Sequence, residues 1–151
     1  CKYRLSNNHA QFLMPPLYDN GMSRRGLLDD DKYYITGPTD DPNLEVFFLK
    51  PFILTSITLR NIDHWFCNRN NNILISAGTR NNHKTCAFYW HDGFTCRNET
   101  KLHRCTSPIL SSYLRLNMTR NCNFGGCCGG NKNCFENLKI IIHQDVLTKR
   151  P

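Results

Sequence analysis

Residues 54–60, Leu-Thr-Ser-Ile-Thr-Leu-Arg, alternate apolar and polar side chains with the two-residue period of a β-strand. This pattern predicts that Ile57 and Leu59 face a protein core, whereas Thr58 and Arg60 face solvent. Five more short β-favouring runs are separated by turn-forming residues: 33–36, 44–48, 73–76, 113–118 and 138–142. No stretch of about eleven or more residues carries the apolar stripe of a helix. The sequence therefore predicts an all-β fold, either a sandwich or a barrel.

The chain has 151 residues, which suits a single domain. Residues 1–26 are rich in Asn, Pro and Gly and predict a loop-rich N-terminal arm. Residues 27–146 contain the predicted strands, and residues 147–151 form a tail. Pro51 is expected to end a strand, because proline cannot donate a hydrogen bond to a central ladder.

Nine cysteines in a chain of this size are typical of an oxidising compartment and predict disulfide bonds. A zinc site is the alternative, but the cysteines from 122 to 134 do not form the paired C-x-x-C spacing of zinc ligands. Because nine is odd, one cysteine is expected to be free or bonded to another chain. Cys1 is the candidate, and it would permit a disulfide-linked oligomer.

Cys127 and Cys128 are adjacent and lie in a glycine-rich segment, 124–130. One interpretation is a vicinal disulfide between them, which would offer a flat apolar face to a sugar. The other is separate bonding of each cysteine, to Cys122, Cys96 or Cys1, with the glycines supplying backbone freedom. The sequence favours separate bonding over the vicinal ring.

Several features predict a secreted chain. The sequence begins with Cys rather than Met, as expected of a processed mature chain or an excised fragment. The sequons Asn98-Glu99-Thr100 and Asn117-Met118-Thr119 make Asn98 and Asn117 candidate glycosylation sites. No apolar run is long enough to span a membrane, so no membrane span is predicted.

The net charge of +7 attracts anionic partners, but the basic residues are scattered and form no nucleic-acid-binding motif. Nucleic acid is therefore not a predicted partner. The six histidines are scattered too, and the sequence lacks G-x-S-x-G, H-E-x-x-H and Gly-rich phosphate loops. The chain is predicted not to be an enzyme.

Residues 54–61 and 73–78 resemble the centre of an F-type lectin (fucolectin), in which V-T-S-I-T-I-T-N-R is followed by I-L-I-G. The order of further segments is also similar to this family: 27–31, 44–47, 81–86, 113–116 and 134–140. The resemblance covers roughly residues 27–142. It implies a disulfide-stapled jelly-roll β-sandwich of the galactose-binding-domain-like type, which discoidin domains share, with ligand bound by loops at one end.

The resemblance also implies a ligand site. F-type lectins hold fucose with a histidine and an R-x-D-x(4)-R/K motif, and His64 and Arg80 match the first two of these ligands. Asn82 replaces the aspartate and Ala87 the last basic residue, so fucose specificity does not carry over. The expected ligand-binding residues are His64, Arg80, Asn82 and His83.

Aromatic side chains near these positions are candidate stacking surfaces for a sugar. They are Trp65, Tyr89 and Trp90. For Tyr89 and Trp90 the alternative interpretation, burial in the sandwich core, is favoured.

A calcium ion is also implied by the resemblance, because the family ties an early acidic loop to a glutamate near the closing cysteine. The matching carboxylates are Asp29, Asp30, Asp31 and Glu136. Glu136 is displaced by one residue from the family position. The alternative for residues 29–31 is a solvated acidic turn.

The disulfides that the resemblance implies join Cys67 to Cys134 and Cys86 to Cys105, with Cys96 as an alternative partner for Cys86. The predicted function is a carbohydrate-binding lectin or cell-adhesion module with a glycan or glycoprotein partner. The alternative is an extracellular protein-interaction or structural module of the same fold that has lost sugar binding. The incomplete fucose motif, the odd cysteine and the Cys-Gly insertion favour this alternative.

Overall fold

The computed structural model describes residues 3–5, 25–27, 38–40, 42–136 and 138–144. Its described residues form seven β-strands and one short 3-10 helix, η1, so the predicted all-β class is confirmed. In chain order the elements are β1 Tyr3–Leu5, β2 Arg25–Leu27, β3 Asn43–Arg60, η1 Trp65–Arg69, β4 Ile73–Thr79, β5 Asn82–Tyr89, β6 Thr100–Met118 and β7 Lys139–Gln144.

The two long strands β3 and β6 form the frame of the fold. They pair antiparallel in two blocks, 43–47 with 113–117 and 52–60 with 100–111, separated by a register shift between Phe47 and Phe52. Pro51 lies in this shift, where its missing N–H removes no ladder hydrogen bond. The prediction that Pro51 ends a strand is therefore wrong, although the regular pairing is interrupted there.

The strands are arranged in two facing layers. In the first block, β3 pairs with β1, and β6 pairs with β4, which in turn pairs with β5. In the second block, β3 pairs with β7, which in turn pairs with β2. Although β4 separates β5 from β6 in the sheet order, Cys86 of β5 and Cys105 of β6 approach to a Cα–Cα distance of 4.2 Å. Two strands that are not sheet neighbours come this close only when the first part of β6 folds over β5.

Apolar side chains from both layers fill the space between them. The residues at most 2% exposed include Leu44, Val46, Leu54, Ile57, Leu59, Ile73, Ile75, Leu114, Leu116, Phe135, Leu138, Ile140 and Ile142. Ile57 and Leu59 point inward, as their alternation predicts. Thr58 is on the opposite face but is also buried, because the cross-strand neighbours Leu102 and Ile141 flank it.

The sequence did not predict β5 or the first half of β6. The first four residues of β5 are all exposed, and most of residues 100–108 are exposed as well. Because these segments bury few apolar side chains, they do not show the alternation that marks a half-buried strand. Two short segments of the predicted arm and its border, β1 and β2, also belong to the sheets.

Four disulfides join eight of the nine cysteines, and Cys1 lies outside the described residues. Cys86 bonds to Cys105, the pair that the resemblance implied. The implied Cys67–Cys134 bond is wrong: Cys67 bonds to Cys96, and Cys134 bonds to Cys128. The backbone N–H of Asn98 donates to the carbonyl of Ile62, which brings the segment of Cys96 beside that of Cys67.

Cys127 bonds to Cys122 and Cys128 to Cys134, so the two adjacent cysteines are bonded separately rather than to each other. In the part of the chain that the structure describes, no helix has the length and apolar character needed to cross a membrane.

Candidate functional site

Three loops meet at one end of the sandwich, which we call the loop end: residues 61–72, 90–99 and 119–136. Strand β3 ends there at Arg60, opposite Thr100 and Lys139, and β4 begins there at Ile73, opposite Tyr89 and Met118. The chain segments that join these strands therefore leave both layers at the same end.

The first loop contains η1, which starts at His64. The His64 Nδ1 atom accepts a hydrogen bond from the backbone N–H of Phe66 at 3.1 Å, which caps the helix. The imidazole ring packs against Trp65 and Phe66, with ring centroids 4.8 and 4.6 Å apart. The Arg69 guanidinium lies 3.7 Å from the Phe66 ring centroid. His64 therefore acts as a cap and a support for two aromatic side chains.

A second group of aromatic side chains comes from the other two loops. Trp90 and Phe124 pack edge to face with centroids 6.1 Å apart. Gly93 has φ +86°, and a Cβ at this position would lie 2.6 Å from the Cβ of Phe124. Glycine at position 93 therefore allows the 90–99 loop to pack directly against Phe124.

These aromatic side chains are exposed although the core of the protein is well filled. The exposed fractions are 70% for Trp65, 43% for Trp90, 86% for Phe94 and 45% for Phe124. Tyr89, in contrast, is 1% exposed and belongs to the core. The favoured core interpretation is thus right for Tyr89 and wrong for Trp90.

Asn71 ties the loops together. Its Oδ1 atom accepts from the backbone N–H of His91 at 2.9 Å, and its Nδ2 donates to the His91 carbonyl at 3.0 Å and to Asn123 Oδ1 at 3.1 Å. Asn68 Nδ2 of η1 donates to the carbonyl of Phe124 at 2.9 Å. The three loops are therefore joined by side-chain hydrogen bonds.

A buried polar network lies beneath this surface. Asn70 Nδ2 donates to Asn61 Oδ1 at 2.8 Å, and Asn61 Nδ2 donates to the hydroxyl oxygen of Tyr89 at 3.2 Å. The Tyr89 hydroxyl donates to Glu99 Oε1 at 2.6 Å. Burial, and then the hydrogen bond to Glu99, raise the pKa of Tyr89 well above its usual range, so Tyr89 remains a hydrogen-bond donor.

His91 is a structural residue rather than a surface histidine. Its Nδ1 accepts from the backbone N–H of Gly93 at 3.0 Å, so Nε2 carries the proton that it shares with the Asn70 carbonyl at 2.9 Å. Burial lowers the pKa of His91, which keeps the ring neutral. The neutral ring fixes the turn that leads to Phe94.

The other predicted ligand residues lie at the opposite end. Arg80, Asn82 and His83 belong to the β4–β5 hairpin, where Thr79 Oγ1 accepts from the Asn82 backbone N–H at 3.1 Å. Between this hairpin and the loop end lies β4, whose seven residues span about 20 Å. The structure therefore does not bring His64 together with Arg80, Asn82 and His83.

The hairpin end has its own polar contacts. Arg80 Nε lies 3.8 Å from Glu45 Oε2, which accepts a hydrogen bond from the Tyr113 hydroxyl at 2.6 Å. The His83 ring packs against Tyr113 with centroids 5.3 Å apart. Burial and the contact with Glu45 raise the pKa of Tyr113 to about 12. These contacts attach the hairpin to β3 and β6.

Among the described residues, no group of three or more His, Cys, Asp or Glu side chains could hold a metal ion. Asp29, Asp30 and Asp31 lie outside the described residues. Glu136 accepts from Arg69 Nη1 at 2.8 Å, and this salt bridge already supplies a positive charge to its carboxylate. The calcium site therefore stays a prediction.

Sequence reasoning missed Phe66, Phe94 and Phe124. A usable signal was present, because Phe94 and Phe124 each adjoin a glycine in a loop-forming segment instead of an alternating strand. Because such a segment is not predicted to form a strand, its aromatic residue does not belong to the buried face of one. Phe66 carries no comparable signal.

The sequence matches no protein-family profile and no curated protein, but the fold matches solved structures at low identity. A fucolectin from the serum of striped bass (Morone saxatilis) is 18% identical with a TM-score of 0.60, and the match covers 95% of this chain and 46% of that chain. This chain therefore spans less than half of the fucolectin chain.

Two further solved structures match over nearly their whole length. The lectin domain of lectinolysin, complexed with Lewis B antigen, is 10% identical with a TM-score of 0.55, and the match covers 95% of this chain and 92% of that chain. A family 32 carbohydrate-binding module of NanJ from C. perfringens, in complex with galactose, is 14% identical with a TM-score of 0.52, covering 92% and 93%. The galactose-binding-domain-like jelly roll expected from the sequence is thus confirmed.

Proposed function

We propose that this protein is a non-catalytic carbohydrate-binding module and that its ligand binds at the loop end. The observation that carries the proposal is the group of exposed aromatic side chains there: Trp65, Trp90, Phe94 and Phe124. Exposed apolar side chains grouped at one end of a folded domain mark an interaction site. Aromatic rings suit a sugar, because they pack against the apolar C–H faces of a pyranose while leaving its hydroxyls accessible to polar groups.

Polar side chains beside these rings support a sugar ligand over a purely apolar one. His64 contacts both Trp65 and Phe66, and Asp92 lies between Trp90 and Phe94 in the same loop. A ligand site with aromatic walls and a few polar groups fixes both the position and the orientation of its ligand. The NanJ module in complex with galactose and the lectinolysin domain complexed with Lewis B antigen support the same class of ligand.

The setting of the proposed module is extracellular, with a glycan or glycoprotein partner. Four disulfides among the described residues fit an oxidising compartment. The candidate glycosylation site Asn98 is exposed, whereas Asn117 is half-buried in β6. We further propose that the module acts in cell adhesion and that its binding depends on calcium.

The test is a glycan array on the natively disulfide-bonded chain, run with calcium and again with EDTA. We expect selective binding, and we expect Trp90→Ala to weaken it at least about tenfold, because tryptophans that a bound partner covers contribute much of the binding energy. Leu110→Ala is the matched control: Leu110 is 66% exposed and pairs with Ile53 near the register shift, at the end of the sandwich away from the loop end.

The outcomes separate the two functions. Glycan binding that is lost in EDTA would support the predicted calcium site. Glycan binding that persists in EDTA would show that calcium is not needed for it. A blank array from folded protein in both conditions would overturn the sugar-binding proposal and favour the protein-interaction alternative, for which the same exposed rings would serve.

A further inference from the structure

We infer that the ligand of the loop end is an oligosaccharide that contacts two separate aromatic platforms, rather than a single sugar. This inference rests on the proposed carbohydrate-binding function. Platform 1 consists of Trp65 and Phe66 on η1. Platform 2 consists of Trp90 and Phe124 from the other two loops.

Each platform is supported by its own contacts. In platform 1 the His64 ring lies beside both aromatic side chains, and the Arg69 guanidinium packs on the Phe66 ring. Arg69 is itself held by Glu136 at 2.8 Å. In platform 2 the edge-to-face contact of Trp90 and Phe124 holds both rings, and Gly93 allows the close approach of the backbone. The rings are therefore oriented before any ligand binds.

Asparagine side chains join the loops that carry the two platforms. Asn68 lies three residues after Trp65 on η1, a rise of about 6 Å, and its amide donates to the Phe124 carbonyl. The backbone of Gly126 packs so closely on the Asn68 carbonyl that a Cβ there would overlap it. Asn71 bonds both to the backbone of His91, beside Trp90, and to Asn123, beside Phe124. Platforms 1 and 2 are thus carried by loops that are hydrogen-bonded to one another.

This arrangement favours a ligand with at least two linked sugar rings. A single pyranose stacks on one aromatic face, so a monosaccharide occupies one platform and leaves the other exposed. In an oligosaccharide, a covalent linkage holds the second sugar ring near the second platform and so raises the effective concentration of that ring. The affinity of the ligand increases without further ordering of the protein.

The experiment compares the glycan-array ligand of highest affinity with its component monosaccharides by titration calorimetry. Lewis B oligosaccharide, galactose and fucose are the first probes. We expect the oligosaccharide to bind at least about tenfold more tightly than any of its monosaccharides. We expect Trp65→Ala and Trp90→Ala each to remove most of this difference, and Leu110→Ala to leave it unchanged.

The results distinguish this inference from the proposed function. A monosaccharide that binds as tightly as the oligosaccharide would leave the lectin function intact and overturn the two-platform site. An unchanged oligosaccharide affinity in Trp65→Ala would also overturn it, because platform 1 would then be unused. The Trp65 side chain is 70% exposed, so its removal leaves the fold intact, which circular dichroism verifies. An array without any saccharide binding would instead refute the proposed function itself.

Discussion

At the scale of single residues, buried asparagines organise the loop end. Asn61, Asn70, Asn71 and Asn72 are at most 4% exposed. Asn70 pairs with the backbone N–H and carbonyl of Glu136, and Asn71 pairs in the same way with His91. An asparagine side chain can satisfy both groups of a buried backbone because it carries a donor and an acceptor together. Asn70 and Asn71 thus replace the backbone pairing that irregular loops lack.

Replacement of Asn71 by alanine tests this role. Asn71→Ala would leave the backbone N–H and carbonyl of His91 without partners in a buried site, and we expect the free energy of unfolding to fall by about 2–3 kcal/mol. The measurement is urea denaturation under non-reducing conditions. Asn81→Ala, at an exposed turn position, is the control and should change stability by less than about 0.5 kcal/mol. Equal effects of the two substitutions would contradict the assigned role of Asn71.

At the scale of elements, short disulfide-closed segments support the aromatic surface. Cys122 and Cys127 close a small loop that contains Phe124, and Cys128 and Cys134 close the next one. Cys67 of η1 is bonded to Cys96 of the 90–99 loop. The Cys67–Cys96 and Cys122–Cys127 bonds therefore constrain segments that carry exposed aromatic rings. The Cys86–Cys105 bond has a different role, because it joins the two layers.

The disulfides are expected to differ in their contribution to stability. Cys86 and Cys105 are 19 residues apart and Cys122 and Cys127 only 5, so the chain-entropy model gives about 3 kcal/mol for the first and about 2 kcal/mol for the second. We expect the Cys86→Ala, Cys105→Ala double variant to unfold at lower denaturant than the Cys122→Ala, Cys127→Ala variant. The Cys122→Ala, Cys127→Ala variant should weaken the proposed glycan binding more, because it releases the loop that carries Phe124. The reverse order in both the denaturation and the binding measurements would refute the roles assigned to these two disulfides. Peptide mapping checks the disulfide connectivity directly.

At the scale of the whole molecule, the two layers meet around Tyr89. Its ring contacts His103 of the facing strand edge to face, with centroids 5.5 Å apart, and it also lies 5.6 Å from His91. Burial lowers the pKa of His103, and Lys101 lowers it further. Both histidines are therefore neutral parts of the interior, and the native state resists their protonation.

This predicts that the protein loses stability in mild acid. The unfolded chain binds a proton at each of these histidines near the ordinary pKa of about 6.5, whereas the native state does so only at lower pH. Stability is therefore full above about pH 6.5 and declines below it, by up to about 1.4 kcal/mol per pH unit for each histidine. Urea midpoints between pH 5 and 8 measure the slope. A His91→Gln, His103→Gln double variant should show a flatter profile, and an unchanged slope would contradict this origin.

The all-β class was predictable because its determinants are local. Alternation in residues 54–60 reports which face of a strand is buried, and it identified Ile57 and Leu59 correctly. Segments that bury little gave no such signal, so β5 and the first half of β6 were not predicted. The continuation of β3 through Pro51 depended on a register shift, which arises from pairing with β6 and cannot be seen in β3 alone.

The sequence by itself determined the all-β class, the core-facing residues of the central strands and the presence of disulfides, because each of these follows from residue type or from a two-residue period. Only the tertiary structure decided which loops form one surface. A strand carries the chain from one end of the sandwich to the other, so β4 separates His64 from Arg80, while Trp65, Trp90 and Phe124 meet from distant parts of the sequence. The cysteine pairing was decided in the same way, since Cys67 bonds to Cys96, which lies beside it only in the folded chain.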